Sequence, residues 1–173
     1  MDDVAKTAVI SDDGKYRYQL SRIWDEACNP LPIIMLNPST ADHEVDDPTI
    51  LKCMKYARRD GFGGIIVVNL FALRATRPAA LRLEADPVGP ENDLRIMDVF
   101  DASTRFGVPV LCGWGADDFA AARGEAVLQR AAHMGVDLRC LAVTKFGAPK
   151  HPLYCLDAQP LVPYGLNPAA EAE

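Results

Sequence analysis

Ile33-Ile34-Met35-Leu36-Asn37-Pro38-Ser39-Thr40 is the stretch on which the fold turns. Four apolar residues stop at a polar, turn-forming Asn-Pro pair. So short and so apolar a run reads as a strand buried on both faces, as in parallel sheets covered by helices. The same event recurs along the chain. Ile65–Asn69 is β-branched and ends in an amide, Val108–Cys112 runs into Gly113-Trp114-Gly115, and Leu138–Val143 runs into Thr144-Lys145. Helical segments separate these runs. Asp47-Pro48 places a capping carboxylate before a proline at the first helical position, and that helix carries Ile50, Leu51, Met54, Tyr56 and Ala57 to about Gly61. Pro78–Leu83 is a short helical piece, Pro87-Val88-Gly89-Pro90 a rigid link, Glu91 to about Thr104 a second long helix, and Asp117–Met134 an Ala-rich third. Alternating strands and helices predict a three-layer α/β/α fold around a mostly parallel sheet of about four strands. Ahead of it, Thr7–Ser11 and Lys15–Trp24 flank Asp13-Gly14 and predict an N-terminal β-hairpin. The segment from His151 onward, rich in Pro and Gly, reads as irregular.

The 173 residues suit one domain, with the hairpin at about 6–24, the core at about 31–164 and a tail at 165–173. Apolar types make up 49% and charged types 24%, which excludes a disordered or collagen-like chain. The five cysteines are scattered, with no C-x-x-C, so neither a zinc knuckle nor a redox pair is signalled. A net charge of −6 argues against broad, charge-driven binding of nucleic acid. No apolar run reaches the ~18 residues that cross a bilayer, and the acidic N-terminus does not read as a signal peptide. A cytoplasmic protein that engages no membrane is expected.

The polar residues gather at one place in this scheme. Asn37, Asn69 and Trp114 follow the C-terminal ends of core strands, and His151 comes shortly after the last one. Ligands of open parallel sheets bind in the crevice outside those ends. Each residue has a structural reading as well. Asn37 before Pro38 suits a turn, and Asn69 suits a strand end that bonds neighbouring backbone. A carboxamide also offers one acceptor and two donors to a nucleobase edge. It takes up no proton near neutral pH, so its chemical uses are to position water or to recognise an amide. His151 titrates near neutrality and is the candidate for acid or electrostatic work. Trp114 between two glycines fits either the core or the face of a stacked base. Arg58, Arg59, Arg74, Arg77 and Arg82 read as solvated or paired, with phosphate contact as their other use. Ser39 would serve as a nucleophile only with a base and an orienting acid beside it. Asp42, His43, Asp46 and Asp47 have metal-ligand types, but Asp47 is accounted for as a helix cap. No metal and no cofactor are expected. Phosphate-loop, G-x-G-x-x-G and G-x-S-x-G motifs are all missing.

Met35-Leu36-Asn37-Pro38-Ser39-Thr40-Ala41-Asp42, Asp46-Asp47-Pro48-Thr49-Ile50, Val67-Val68-Asn69-Leu70-Phe71-Ala72-Leu73-Arg74-Ala75-Thr76, Pro87-Val88-Gly89-Pro90-Glu91-Asn92-Asp93, Thr144-Lys145, Gly147 and His151-Pro152-Leu153-Tyr154 together closely resemble the bacterial and phage family called domain of unknown function 1643. That resemblance spans about Tyr16 to Tyr164 and implies no settled activity. The order of the motifs is more distantly similar to that of the uracil-DNA glycosylase superfamily. Leu36-Asn37-Pro38-Ser39 resembles its water-positioning loop, Asn69 with Leu73-Arg74 its base-reading strand end, Trp114-Gly115 its third strand end, and His151-Pro152-Leu153 its late histidine loop. The resemblance implies a glycosylase-like fold and cleavage of an N-glycosidic bond. Asn37 and His151 would then be catalytic, and Ser39, Asn69, Arg74, Trp114 and Lys145 would contact substrate. Leu36 stands where that superfamily has a glycine, and its serine after His-Pro is missing. The expected function is therefore recognition of a nucleobase-containing small molecule or nucleic acid, with N-glycoside hydrolysis as its catalytic form. The alternatives are a non-catalytic nucleotide- or nucleic-acid-binding module and a partner-binding protein.

Overall fold

The computed structural model describes residues 4–39 and 44–165. The Asp13-Gly14 turn joins β1 (Ala5–Ile10) to β2 (Arg17–Ile23), which pair antiparallel with a bulge between Val9 and Ile10. Then follow β3 (Pro30–Met35), α1 (Pro48–Arg59), β4 (Gly64–Asn69), α2 (Asn92–Phe106), β5 (Val110–Cys112), α3 (Ala121–Met134), β6 (Leu138–Cys140) and β7 (Val162–Pro163). Short 3-10 segments lie at Pro78–Leu83, Asp118–Ala120 and Pro152–Tyr154. All seven strands belong to one sheet, in the order β1-β2-β4-β3-β5-β6-β7. Its centre, β4-β3-β5-β6, is parallel, and β2 and β7 flank it antiparallel.

The sheet is therefore wider than the expected four strands. The hairpin is no appendage, because β2 pairs with β4 through Leu20↔Val67 to Ile23↔Gly64. That explains its weak alternation: an interior strand buries residues on both faces. β7 is two residues long, one of them a proline, and escapes any periodicity test. β6 ends at Cys140 instead of Val143, which only bridges Pro149. β3 starts early, at Pro30. Its two prolines fall ahead of the first β5 partner, Ile33↔Leu111, where a missing N–H is tolerated.

Side chains alternate across the sheet and build two cores. Ile34, Val68, Val110 and Cys112 face α2 and α3, meeting Ile96, Val99, Phe100, Val127 and Ala131. Leu31, Ile33, Met35, Ile65, Val67 and Leu111 face α1, meeting Ile50, Cys53, Tyr56 and Ala57. Each fully buried aliphatic side chain contributes about 1.5–3 kcal/mol, and a one-residue slip of a central strand would send every side chain to the opposite core, where its shape does not fit. On the α1 side the cover is completed by the segment after His151. Tyr56 Oη donates to Leu156 O (3.0 Å), Arg59 Nη1 to Gln159 O (2.7 Å), and Lys52 and Lys55 pair with Asp157. Among the described residues no helix is long and apolar enough to cross a membrane.

Candidate functional site

β3 and β4 end side by side at the pair Met35↔Asn69. Their ladder continues past the strands, with Leu70 N–H donating to Met35 O (2.9 Å) and Phe71 N–H to Leu36 O (3.0 Å). Asn37 lies just beyond. Its Nδ2 donates to Pro38 O (2.9 Å) and to Ala75 O (2.8 Å), while Ala75 N–H donates to Pro38 O (3.0 Å). The side chain thus ties the two strand exits together, and its carbonyl oxygen keeps its capacity as an acceptor.

Asn69 ends β4 and is 1% exposed. Among the described residues, neither its Nδ2 nor its Oδ1 has a hydrogen-bond partner. The backbone that carries it is held firmly. Asn92, the first residue of α2, donates through Nδ2 to Asn69 O (2.9 Å) and Leu70 O (3.1 Å). Arg123 of α3 adds a bond from Nε to Leu70 O (3.0 Å) and pairs with Asp93. The carboxamide is thus fixed in place while its own polar atoms stay unpaired, and each orphaned buried group costs about 1–3 kcal/mol.

β5 exits through Gly113-Trp114-Gly115, where the His151 loop docks. A Cβ on Gly113 would stand 2.7 Å from Pro152 Cδ, so only glycine lets that loop approach. Gly115 has φ +79° and donates its N–H to Pro149 O (2.9 Å), a backbone conformation that glycine adopts without steric cost. Trp114 is 5% exposed, packs edge-on to Tyr164 at 6.0 Å, and lies under Gly124 of α3, so it serves the core and the cleft together. His151 caps the 3-10 segment Pro152–Tyr154, its Nδ1 accepting from Leu153 N–H (3.3 Å). Burial lowers its pKa below the ordinary 6.5, partly opposed by the carboxylate of Asp47. A neutral ring that accepts at Nδ1 carries its proton on Nε2.

Asn37, Ser39, Asn69, Trp114 and His151 line one cleft of about 400 Å³. Arg74 lies in an adjoining groove, which shares Ser39, Ala75 and Thr76 with the cleft. Lys145 lies elsewhere. β6 ends five residues before it, and Lys145 sits exposed in a turn closed by Gly147 N–H on Thr144 O, its Nζ 4.9 Å from the Phe146 ring centre. Sequence reasoning missed three charged residues of the cleft lining, Arg17, Asp47 and Asp117. Arg17 on β2 is 3% exposed, and nothing in Tyr16-Arg17-Tyr18 marks it. Asp47 reads from the sequence as the cap of α1 and as one of an acidic loop's metal-ligand types; its Oδ1 does accept from Ile50 N–H (2.9 Å), and the residue also lines the cleft.

Of the acidic loop, Asp42 and His43 lie outside the described residues. Asp46 is paired with Arg22 Nε (2.6 Å) and Lys6 Nζ (3.0 Å). Among the described residues no cluster of three or more His, Cys, Asp or Glu could hold a metal ion.

A family model described as "Protein of unknown function (DUF1643)" matches residues 17–153. No curated protein and no solved structure matches the chain significantly.

Proposed function

The chain belongs to the DUF1643 family, and from its cleft we propose that it recognises a planar nucleobase and hydrolyses the N-glycosidic bond that attaches it. The observation that carries this reading is the unpartnered, buried carboxamide of Asn69. A ring edge with an acceptor beside a donor satisfies its nitrogen and oxygen together. A cleft of about 400 Å³ falls in the range of small-molecule sites. The order of the strand-end motifs supports a uracil-DNA-glycosylase-like fold around it.

The chemistry follows from the groups present. The bond from C1′ to the base nitrogen breaks, and its electron pair leaves with the base. The neutral imidazole of His151 donates from Nε2 to that developing charge, a preorganised interaction contributing about 3–4 kcal/mol. A water oxygen bonds to C1′. Asn37 holds this water through its carbonyl oxygen, and Asp47 accepts the proton that a carboxamide cannot. The base anion then takes a proton from solvent.

A binding module without turnover is the second reading. It is favoured by Asn37, whose amide hydrogens are both committed to the scaffold. Release of bases from uracil- and damaged-base DNA and from free nucleosides and nucleotides separates the two. With turnover, Asp47→Asn lowers the rate by about 10²–10⁴-fold at an unchanged melting temperature, because Asn caps α1 as well as Asp does. Calorimetric binding without release selects the binding module. Neither binding nor release rejects both readings.

A further inference from the structure

Resting on that reading, we propose that the cleft is one half of a two-compartment site, whose outer groove holds the phosphate of a nucleoside monophosphate. The outer groove has a volume of about 690 Å³ and shares the wall Ser39-Ala75-Thr76 with the cleft. Two cations line it, Lys15 and Arg74. Arg74 Nη1 makes one long bond to Gly14 O (3.3 Å), and among the described residues Arg74 forms no salt bridge. Its remaining donors are available to fork onto two phosphate oxygens. Lys15 is paired with Glu84 at 2.9 Å, but the two side chains are 39% and 42% exposed. Solvent therefore screens the pair, and an anion can compete for the ammonium. Two cations against one carboxylate make the groove locally positive on a chain of net charge −6. The hydroxyls of Ser39 and Thr76 stand on the shared wall and supply neutral donors.

The groove is also built rigidly. Arg74 N–H donates to Lys15 O (3.0 Å), and Tyr16 bridges Leu73, so the hairpin turn and the exit of β4 hold both cations in register. A molecule that places a flat ring against Asn69 and crosses the Ser39–Thr76 wall must carry an anion at its other end. A nucleoside monophosphate has that shape and charge order.

Calorimetry at low ionic strength tests this with the four ribonucleosides, their 5′- and 3′-monophosphates, a single-stranded oligonucleotide lacking terminal phosphate, and inorganic phosphate. The expected result is a monophosphate binding at least about tenfold more tightly than its own nucleoside, as one or two charge-assisted bonds provide, with Arg74→Ala bringing that ratio to about one. Equal affinities for nucleoside and monophosphate in wild type overturn the outer compartment and leave the base site standing. Tighter binding of the oligonucleotide overturns the free monoester as ligand. If no nucleoside or nucleotide binds, the base reading fails. Inorganic phosphate then decides: saturable binding lost in Arg74→Ala upholds the anion compartment, and no binding overturns it.

Discussion

Asn92 and Asn69 are both buried, at 0% and 1% exposure, and meet where α2 abuts the end of β4. Their hydrogen bonding differs. Asn92 commits both amide hydrogens to the carbonyls of Asn69 and Leu70, leaving only its oxygen unpaired. Asn69 has no partner at either end of its amide among the described residues. One side chain fixes the backbone, and the other is the group that backbone presents. A buried amide held still by its neighbour and left unsatisfied is what a recognition site needs, because rigid placement removes the reorganisation that would otherwise oppose binding.

Substitutions can break this contrast. Asn92→Ala is expected to have the largest effect, a loss of about 2–4 kcal/mol in urea denaturation, since two buried carbonyls lose a donor and a void opens. Asn69→Leu keeps the branched four-atom skeleton and removes the orphaned polar atoms, and its extra bulk can extend into the cleft, so stability should hold or rise, while affinity for a base falls by about 10–100-fold in calorimetry. If Asn69→Leu proved as destabilising as Asn92→Ala, the two residues would share one structural role. His151→Asn sharpens the picture through pH. Burial holds the folded imidazole below 6.5, so as pH falls below that value the unfolded chain protonates first and the fold loses stability. Asn still accepts from Leu153 N–H and does not titrate, so the variant's melting temperature should fall less than wild type's between about pH 7 and pH 5. Lys145→Ala, outside the cleft, should change stability by less than about 0.5 kcal/mol and leave base binding as it was.

Legibility in the sequence followed the range of the forces involved. Burial periodicity lies within a segment, so β3, β4 and β5 and the three long helices could be placed from their apolar residues. β7, two residues long, owes its place to Cys140 and Arg139 across from it. Lys145 falls outside the expected rim because the Leu138–Val143 run continues apolar after pairing has stopped at Cys140. Arg17 could not be found because the segments that enclose it, Ala72 accepting from its N–H and the strand exits around the cleft, are remote in the chain.

Four short apolar runs, each closed by polar or glycine residues, were enough to imply helices on both faces of a parallel sheet and to bring Asn37, Asn69 and His151 to one rim. That much follows from burying alternate side chains, a rule any segment obeys alone. Folding in three dimensions settled which amide is satisfied and which is not, that Asp47 lines a cleft as well as capping a helix, and that the hairpin turn lines an adjoining groove. Hydrogen-bond satisfaction and cavity shape depend on which distant segments meet, and no local pattern of residues encodes that meeting.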